Sequence, residues 1–409
     1  MTNESARPSI PLNTRWRVQL FGAVAAGVAS ALVLVACGGG GSSDAGTAPG
    51  ASAASFTAGP ISGLGSIIVN GVRFDDSKAS VQNQEDGSSG TLKLGMMVEV
   101  EASKIDAATA RATASTVRFG SEIVGPVASP DSAAQTIKVL DQTVQITATT
   151  VFEDSLAGGF AALTAGRVVE IHALFDATTG RYAATRIEDE TGASAFRLRG
   201  TIASLDATAK TFRIGAAVIN YAGIAAADLP ALANDLKVRV RLQTTQVAGQ
   251  WIATSVRSGV RRVDDHEEAG VFGLVSMFTS AQHFFVQGTE VDATNAAFEP
   301  AANAVKLGAL VSVRGAARNG VVVASKVKVL TGFDDAGLSV ELHGALSSLD
   351  LVARTFVLRE VKVDFSHVTV LKNITIADLS TAKAAHIEVE GVWSADRRTL
   401  IASTIKLDD

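Results

Sequence analysis

Cysteine, aromatic side chains and charge are all scarce in this chain. One Cys among 409 residues leaves no partner for an internal disulfide, and it excludes a Cys-rich zinc site or a Cys-x-x-Cys redox pair. Aromatics make up 5% of the residues, with two Tyr and three Trp. Charged residues make up 19%, and the formal net charge is -5. A mildly acidic chain is a poor nucleic-acid binder on electrostatic grounds. The hydrophobic fraction of 47% is too high, and the charge too small, for a disordered protein.

The single Cys stands in a telling place. Arg7, Arg15 and Arg17 face one acid, Glu4, and the run Val18 to Ala36 is apolar apart from Gln19. A basic segment followed by an apolar one is the pattern of a secretion signal. Leu34-Val35-Ala36-Cys37 closes it and resembles the bacterial lipobox, a motif that implies lipidation of the Cys37 thiol and cleavage before it. Gly38 rather than Asp follows, so the resemblance implies delivery to the outer membrane of a Gram-negative cell, with the chain facing the periplasm or the cell surface. Cleavage there removes three bases and one acid and leaves a net charge of -7. Residues 38–55 hold Gly, Ser, Ala, Thr, Pro and one Asp, with no large side chain. They read as a flexible tether with a reach of about 25 Å.

Beyond the tether the sequence repeats. Ala-[Ser/Thr]-x-[Val/Ile] recurs at Ala114, Ala184, Ala253, Ala324 and Ala402, in steps of 70, 69, 71 and 78 residues. A second template begins at Gly95, Gly166, Asp235, Gly308 and Ala384 and continues as an apolar strand. A third places Gly59, Gly125, Gly200, Gly273 and Gly344 near the start of each unit. The expected organisation is a signal at 1–36, the lipidated Cys and tether at 37–58, and modules at 59–121, 122–192, 193–262, 263–336 (with a linker at its start) and 337–409.

Within a unit the apolar period is two. Lys237-Val238-Arg239-Val240-Arg241-Leu242 alternates strictly, as half-buried antiparallel strands do. Asn319-Gly320 between apolar runs is a hairpin signal. The Ala-rich connectors Leu156–Ala165, Ala225–Asn234, Ala293–Lys306 and Ile374–Ala385 are expected to form one or two helical turns each. The fold class is therefore all-β: a tandem array of five small OB-like, or SH3-like, antiparallel barrels, each with a short helical connector. Neighbour contacts along such an array would build a rod or chain.

These units resemble a repeated family of unknown function, numbered 5666, found in proteobacterial secreted proteins and lipoproteins. The resemblance rests on Gly59-Pro60-Ile61-Ser62-Gly63-Leu64-Gly65-Ser66-Ile67-Ile68-Val69-Asn70-Gly71-Val72-Arg73-Phe74, on Leu94 to Val100, and on the Ala-[Ser/Thr]-x-[Val/Ile] strand. Units three and five depart at Asp235 and Ala384. The resemblance implies fold and compartment and no chemistry.

Candidate sites are few. The six His occur in no His-x-His or His-Glu-x-x-His spacing. Asp264, Asp265, Glu267 and Glu268 flank His266, and oxygen ligands so close would hold Ca²⁺ only weakly. They read better as a solvated linker. Asp75-Asp76 and Asp334-Asp335 read as turn acids. Tyr182, Trp251 and Trp393 are placed alike, just before the last strand, and read as packing anchors before a carbohydrate platform. No Gly-x-Ser-x-Gly elbow or P-loop occurs. No catalytic residue, metal or cofactor is expected. The function expected is a non-enzymatic outer-membrane lipoprotein, a scaffold presenting a binding or structural surface. Its partners would be the membrane, through Cys37, and an envelope protein or polysaccharide, with no nucleic acid. The alternative is an envelope protein that binds carbohydrate or peptide, or a hydrolase, with its site at one junction between modules.

Overall fold

In the fourth strand of the third module, Val238, Val240 and Leu242 turn inward while Lys237, Arg239 and Arg241 lie toward solvent. That alternation recurs through the computed structural model. It describes residues 54–407, apart from 157, 260–262, 332–339, 360, 382–385 and 395–398. Cys37, the tether up to residue 53, Ala384 and Asp334-Asp335 lie outside the described residues.

Each module is a closed ring of five strands. The first strands are Ser55–Leu64, Ile123–Pro126, Phe196–Asp206, His266–Ser280 and Val340–Gly344, the last continuing as Leu346–Asp350. The second are Ile67–Val69, Thr136–Val139, Thr211–Ile214, His283–Val286 and Thr355–Leu358. The third are Val72–Asp75, Gln142–Phe152, Ala217–Asn220, Thr289–Asp292 and Val361–Asp364. The fourth are Met97–Ala102, Val168–Asp176, Lys237–Val247, Leu310–Arg318 and Ile387–Trp393. The fifth are Arg111–Phe119, Arg181–Asp189, Gln250–Ser258, Val321–Leu330 and Thr399–Leu407. In module 1 the first strand pairs with the second and the fourth, the second with the third, and the fourth with the fifth, all antiparallel. The third strand closes onto the fifth in parallel. The parallel closure recurs in the other four modules. Module 2 joins its first and second strands through one bridge, Val127 to Val139. The first strand of module 1 begins at Ser55, and Phe56 and Ala58 are already buried, so order starts within the range read as tether.

The two glycine templates have different causes. Where the fourth strand begins, Gly95, Gly166 and Gly308 take φ of +80, +85 and +75, and Asp235 takes +68. Each donates its N–H to a carbonyl on or directly after the first strand of its own module, at Ile61, Val127, Val275 and Ile202 respectively. The position asks for a left-handed backbone, which Asp tolerates better than most side chains. Elsewhere close approach decides. A Cβ on Gly125 would lie 2.6 Å from Leu140 Cγ, because the hairpin after the second strand folds its side chain onto the first.

The connectors are not α-helices. Among the described residues Gly159–Ala162, Ala226–Asp228, Ala302–Ala304 and Ile376–Ser380 form single 3₁₀ turns. An α-helix must fix several residues before its first bond forms, and segments this short, held at both ends by strands, do not recover that cost.

From Ala51 onward the chain is one compact unit. The modules do not follow one another as a rod. Ser55–Ala58 of module 1 pair in parallel with Glu268–Val271 of module 4, and Gly63-Leu64 pair with Glu341-Leu342 of module 5. Ile123-Val124 of module 2 pair with Arg197-Leu198 of module 3. Met97, Leu174, Phe272, Leu310 and Leu330 form an apolar contact shared by modules 1, 2 and 4. Full burial of such side chains stabilises by about 1.5–3 kcal/mol each. Module 1 is the hub, because its ten-residue first strand is long enough to offer one end to module 4 and the other to module 5.

Candidate ligand-binding cleft

The acidic linker is absorbed into the structure. Asp265 Oδ1 accepts from Asn319 N at 2.6 Å, so it ties to the last hairpin of module 4. Glu268 Oε2 accepts from Ile105 N of module 1 at 2.7 Å. His266 is buried, its Nδ1 lies 2.6 Å from the Asp264 carbonyl, and its ring packs near Phe56. Asp264 and Glu267 are exposed. Asp265 and Glu268 thus bond to different modules. Asp75 is a turn acid, accepting from Ser77 N at 3.0 Å.

The repeated aromatics separate into two kinds. Tyr182 and Trp251 open fifth strands and are 2% and 7% exposed, with Tyr182 donating to Arg199 O and Trp251 Nε1 to Asp141. Both are packing anchors. Trp393 does not share their place: it ends a fourth strand, opposite Leu400, and Leu400 holds the buried position. The Trp393 indole is half-buried and lines a cleft.

That cleft has a volume of about 870 Å³ and lies where modules 1, 2 and 5 meet. Module 1 supplies the floor from Leu64, Ile67, Asp76 and the segment Gly90–Leu94. Module 2 supplies Val151 to Leu156 with Arg186, and module 5 supplies Val357, Arg359, Lys362, Trp393 and Thr399. Lys93 lies 3.4 Å from Glu153 and 3.3 Å from Glu188, and Arg186 lies 2.8 Å from Glu188. Arg186 also donates to Leu94 O. The Lys93 pairs and the Arg186 bond to Leu94 join modules 1 and 2. Burial pushes the Glu153 carboxyl up, but the Asp189 N–H, the Ser155 hydroxyl and Lys93 outweigh it and hold it below the usual range. Behind them His172 is fully buried, and Met97 N donates to its Nδ1 at 3.3 Å. Desolvation lowers its pKa against the raising influence of Glu170 and Glu188.

A second charged group lies between modules 1 and 5. Glu341 and His343 stand two apart on the first strand of module 5, and His343 is directly opposite Glu388 on the fourth. Their ligand atoms lie within 4.8 Å of one another, so the set has the geometry to hold a metal ion. Two cations already serve it. Arg73 Nη2 donates to Glu341 at 2.7 Å and also meets His343, and Lys406 lies 2.5 Å from Glu388. Burial opposes ionisation of Glu341, but its bonds to His343 and Arg73 prevail and hold it at about 2, while burial and the Glu341 charge push Glu388 up. The group therefore acts as an ion-paired clamp. Sequence reading did not single out these residues. The sole sequence signal was Glu388 within the second template, a position occupied by Glu99, Glu170, Arg239 and Ser312 in the other modules.

Four segments, 58–114, 124–188, 272–328 and 343–406, match the sequence profile of DUF5666, a domain of unknown function. Together they span more than half of the chain. Module 3 is outside the match yet has the same ring of strands. None of the curated proteins matches this chain. A solved structure described as drosophila Unr CSD456 is 15% identical over 46% of this chain and 83% of its own, with a TM-score of 0.16. At that score the likeness carries no argument.

Proposed function

The chain belongs to the DUF5666 family of unknown function, and from that premise we propose that it is a lipid-anchored scaffold that binds a ligand of the cell envelope without transforming it. Each module is taken as an OB-like barrel, a reading supported by the ring order first, second, third, fifth, fourth and by the parallel third–fifth closure. Three packed cores shared among the five barrels, with a cleft walled by three of the modules, are the observation that carries the proposal. A concave cleft of several hundred Å³ between packed units is a usual place for a ligand site. The lipobox-like Cys37 supports an outer-membrane anchor in a Gram-negative envelope, and the acidic mature chain supports a partner other than nucleic acid.

Two measurements test this. Labelled palmitate enters the wild type and not Cys37→Ser; equal labelling of both sinks the anchor. A photo-crosslinker at Ser155, beside the cleft, captures an envelope component from intact cells, whereas one at Thr208, in an exposed hairpin of module 3, does not. Equal capture from both positions sinks the cleft as the binding surface.

A further inference from the structure

The cleft divides its charges by wall. Lys93 and Arg186, deep between modules 1 and 2, are neutralised by Glu153 and Glu188. Arg359 and Lys362, on the module 5 wall, are exposed and sit in no ion pair among the described residues. Arg359 is held in place through bonds to the carbonyls of His343 and Gly65, which fix its guanidinium without discharging it. Lys362 is paired in register with Thr399 across parallel strands, and the next residue, Leu400, is paired with Trp393. Thr399 and Leu400 point to opposite faces of their strand, so the register does not itself set the indole beside the lysine; Lys362, Thr399 and Trp393 meet as lining of the same cleft. The facing walls carry Asp76 and Asp154.

We infer that this cleft binds an acidic oligosaccharide, a chain of two or three sugars bearing a carboxylate. The inference rests on the binding function proposed above and names the ligand class of the same cleft. A pyranose ring has an apolar C–H face that suits an aromatic platform, and Trp393 supplies one. Its hydroxyls donate to carboxylates, which Asp76 and Asp154 supply. Its acid group pairs with Arg359 and Lys362 in charge-assisted bonds. The division of charge fixes the orientation, acid toward module 5 and hydroxyls toward modules 1 and 2. The volume of about 870 Å³ fits a ligand of that length. An extended peptide is disfavoured because it would add to a free strand edge. The described third and fifth strands of module 5 have partners on both sides within the closed ring.

The full mature chain with Trp251→Phe retains Trp393 alone, since Trp16 precedes Cys37. Titration with trigalacturonate at low salt is expected to change the Trp393 emission saturably, and maltotriose to bind at least tenfold more weakly. Replacing Arg359 and Lys362 together by Ser is expected to remove that preference, and Trp393→Ala to weaken trigalacturonate at least tenfold by calorimetry. Circular dichroism confirms that each variant is folded. Equal affinity for the two sugars, no binding of either, or unchanged affinity in folded Trp393→Ala overturns the inference. If no sugar binds while the Ser155 crosslinker still captures a partner, this inference fails and the binding function stands. If both fail, so does the binding function.

Discussion

The Arg73 guanidinium of module 1 donates to the Glu341 carboxylate of module 5 at 2.7 Å, across 268 positions of sequence. It ties the N-terminal barrel to the C-terminal one beside the short parallel pairing at Gly63-Leu64. Glu341 has a folded pKa of about 2 against an ordinary 4.5, so its contribution is present above 4.5 and is lost as the pH falls toward 2. Glu388, pushed up, acts in the opposite sense and offsets part of this. Glu341→Gln is expected to cost about 1–2 kcal/mol near neutrality and to flatten the acid loss of stability. Denaturant melts through the acid range decide. An unchanged acid slope in the variant would show that Glu341 does not set it.

The buried pair Arg199 and Glu122 joins modules 3 and 2 at 3.5 Å, and Arg199 also donates to Gln84 of module 1 at 2.9 Å. Removing one partner of a buried pair weakens the compensation of the charge left behind. Glu122→Ala is expected to destabilise by about 3–5 kcal/mol, and adding Arg199→Met to recover part of it. If the two losses simply add in a double-mutant cycle, the pair is not coupled.

Gly95 and Gly166 hold the same turn, yet only Gly95 touches another module. A Cβ there would collide with the Thr185 carbonyl of module 2, while one on Gly166 has nothing within 4 Å. Asp235 shows that the turn accepts Asp. Gly166→Asp is therefore expected to cost about 1 kcal/mol or less, and Gly95→Asp at least twice that, with modules 1 and 2 loosened. Thermal melts and limited proteolysis between the modules check it; equal costs would refute a docking role for Gly95.

Burial lowers the pKa of His172, so below the ordinary 6.5 the unfolded chain takes up the proton more readily than the folded one. The stability it contributes is present above that value and is lost as the pH falls below it. His172→Gln is expected to make the loss of stability below about pH 6.5 less steep than in the wild type. A slope identical to wild type would place His172 outside this titration.

The repeats, the period-two strands and the turn acids were legible in the sequence because each is local. Asp75, for example, accepts from Ser77 N within its own turn. The left-handed turn before the fourth strand was visible as a glycine template, and Asp235 was a departure whose reason appears only in its φ of +68. The helical connectors were misjudged because Ala content measures propensity and not the cost of starting a helix in a short, pinned segment. Trp393 was misplaced because a hairpin register, not spacing, sets its partner as Leu400. The sequence by itself thus determined the barrel and its repetition, since strand period and turn chemistry act over a few residues. Which barrels touch was decided only by the tertiary structure. Glu170, Arg239 and Glu388 hold one template position, but Glu170 meets Arg197 of module 3, Arg239 meets Glu85 of module 1, and Glu388 meets Arg73 of module 1. The cleft arises from that docking, because its walls come from three modules that no local pattern brings together.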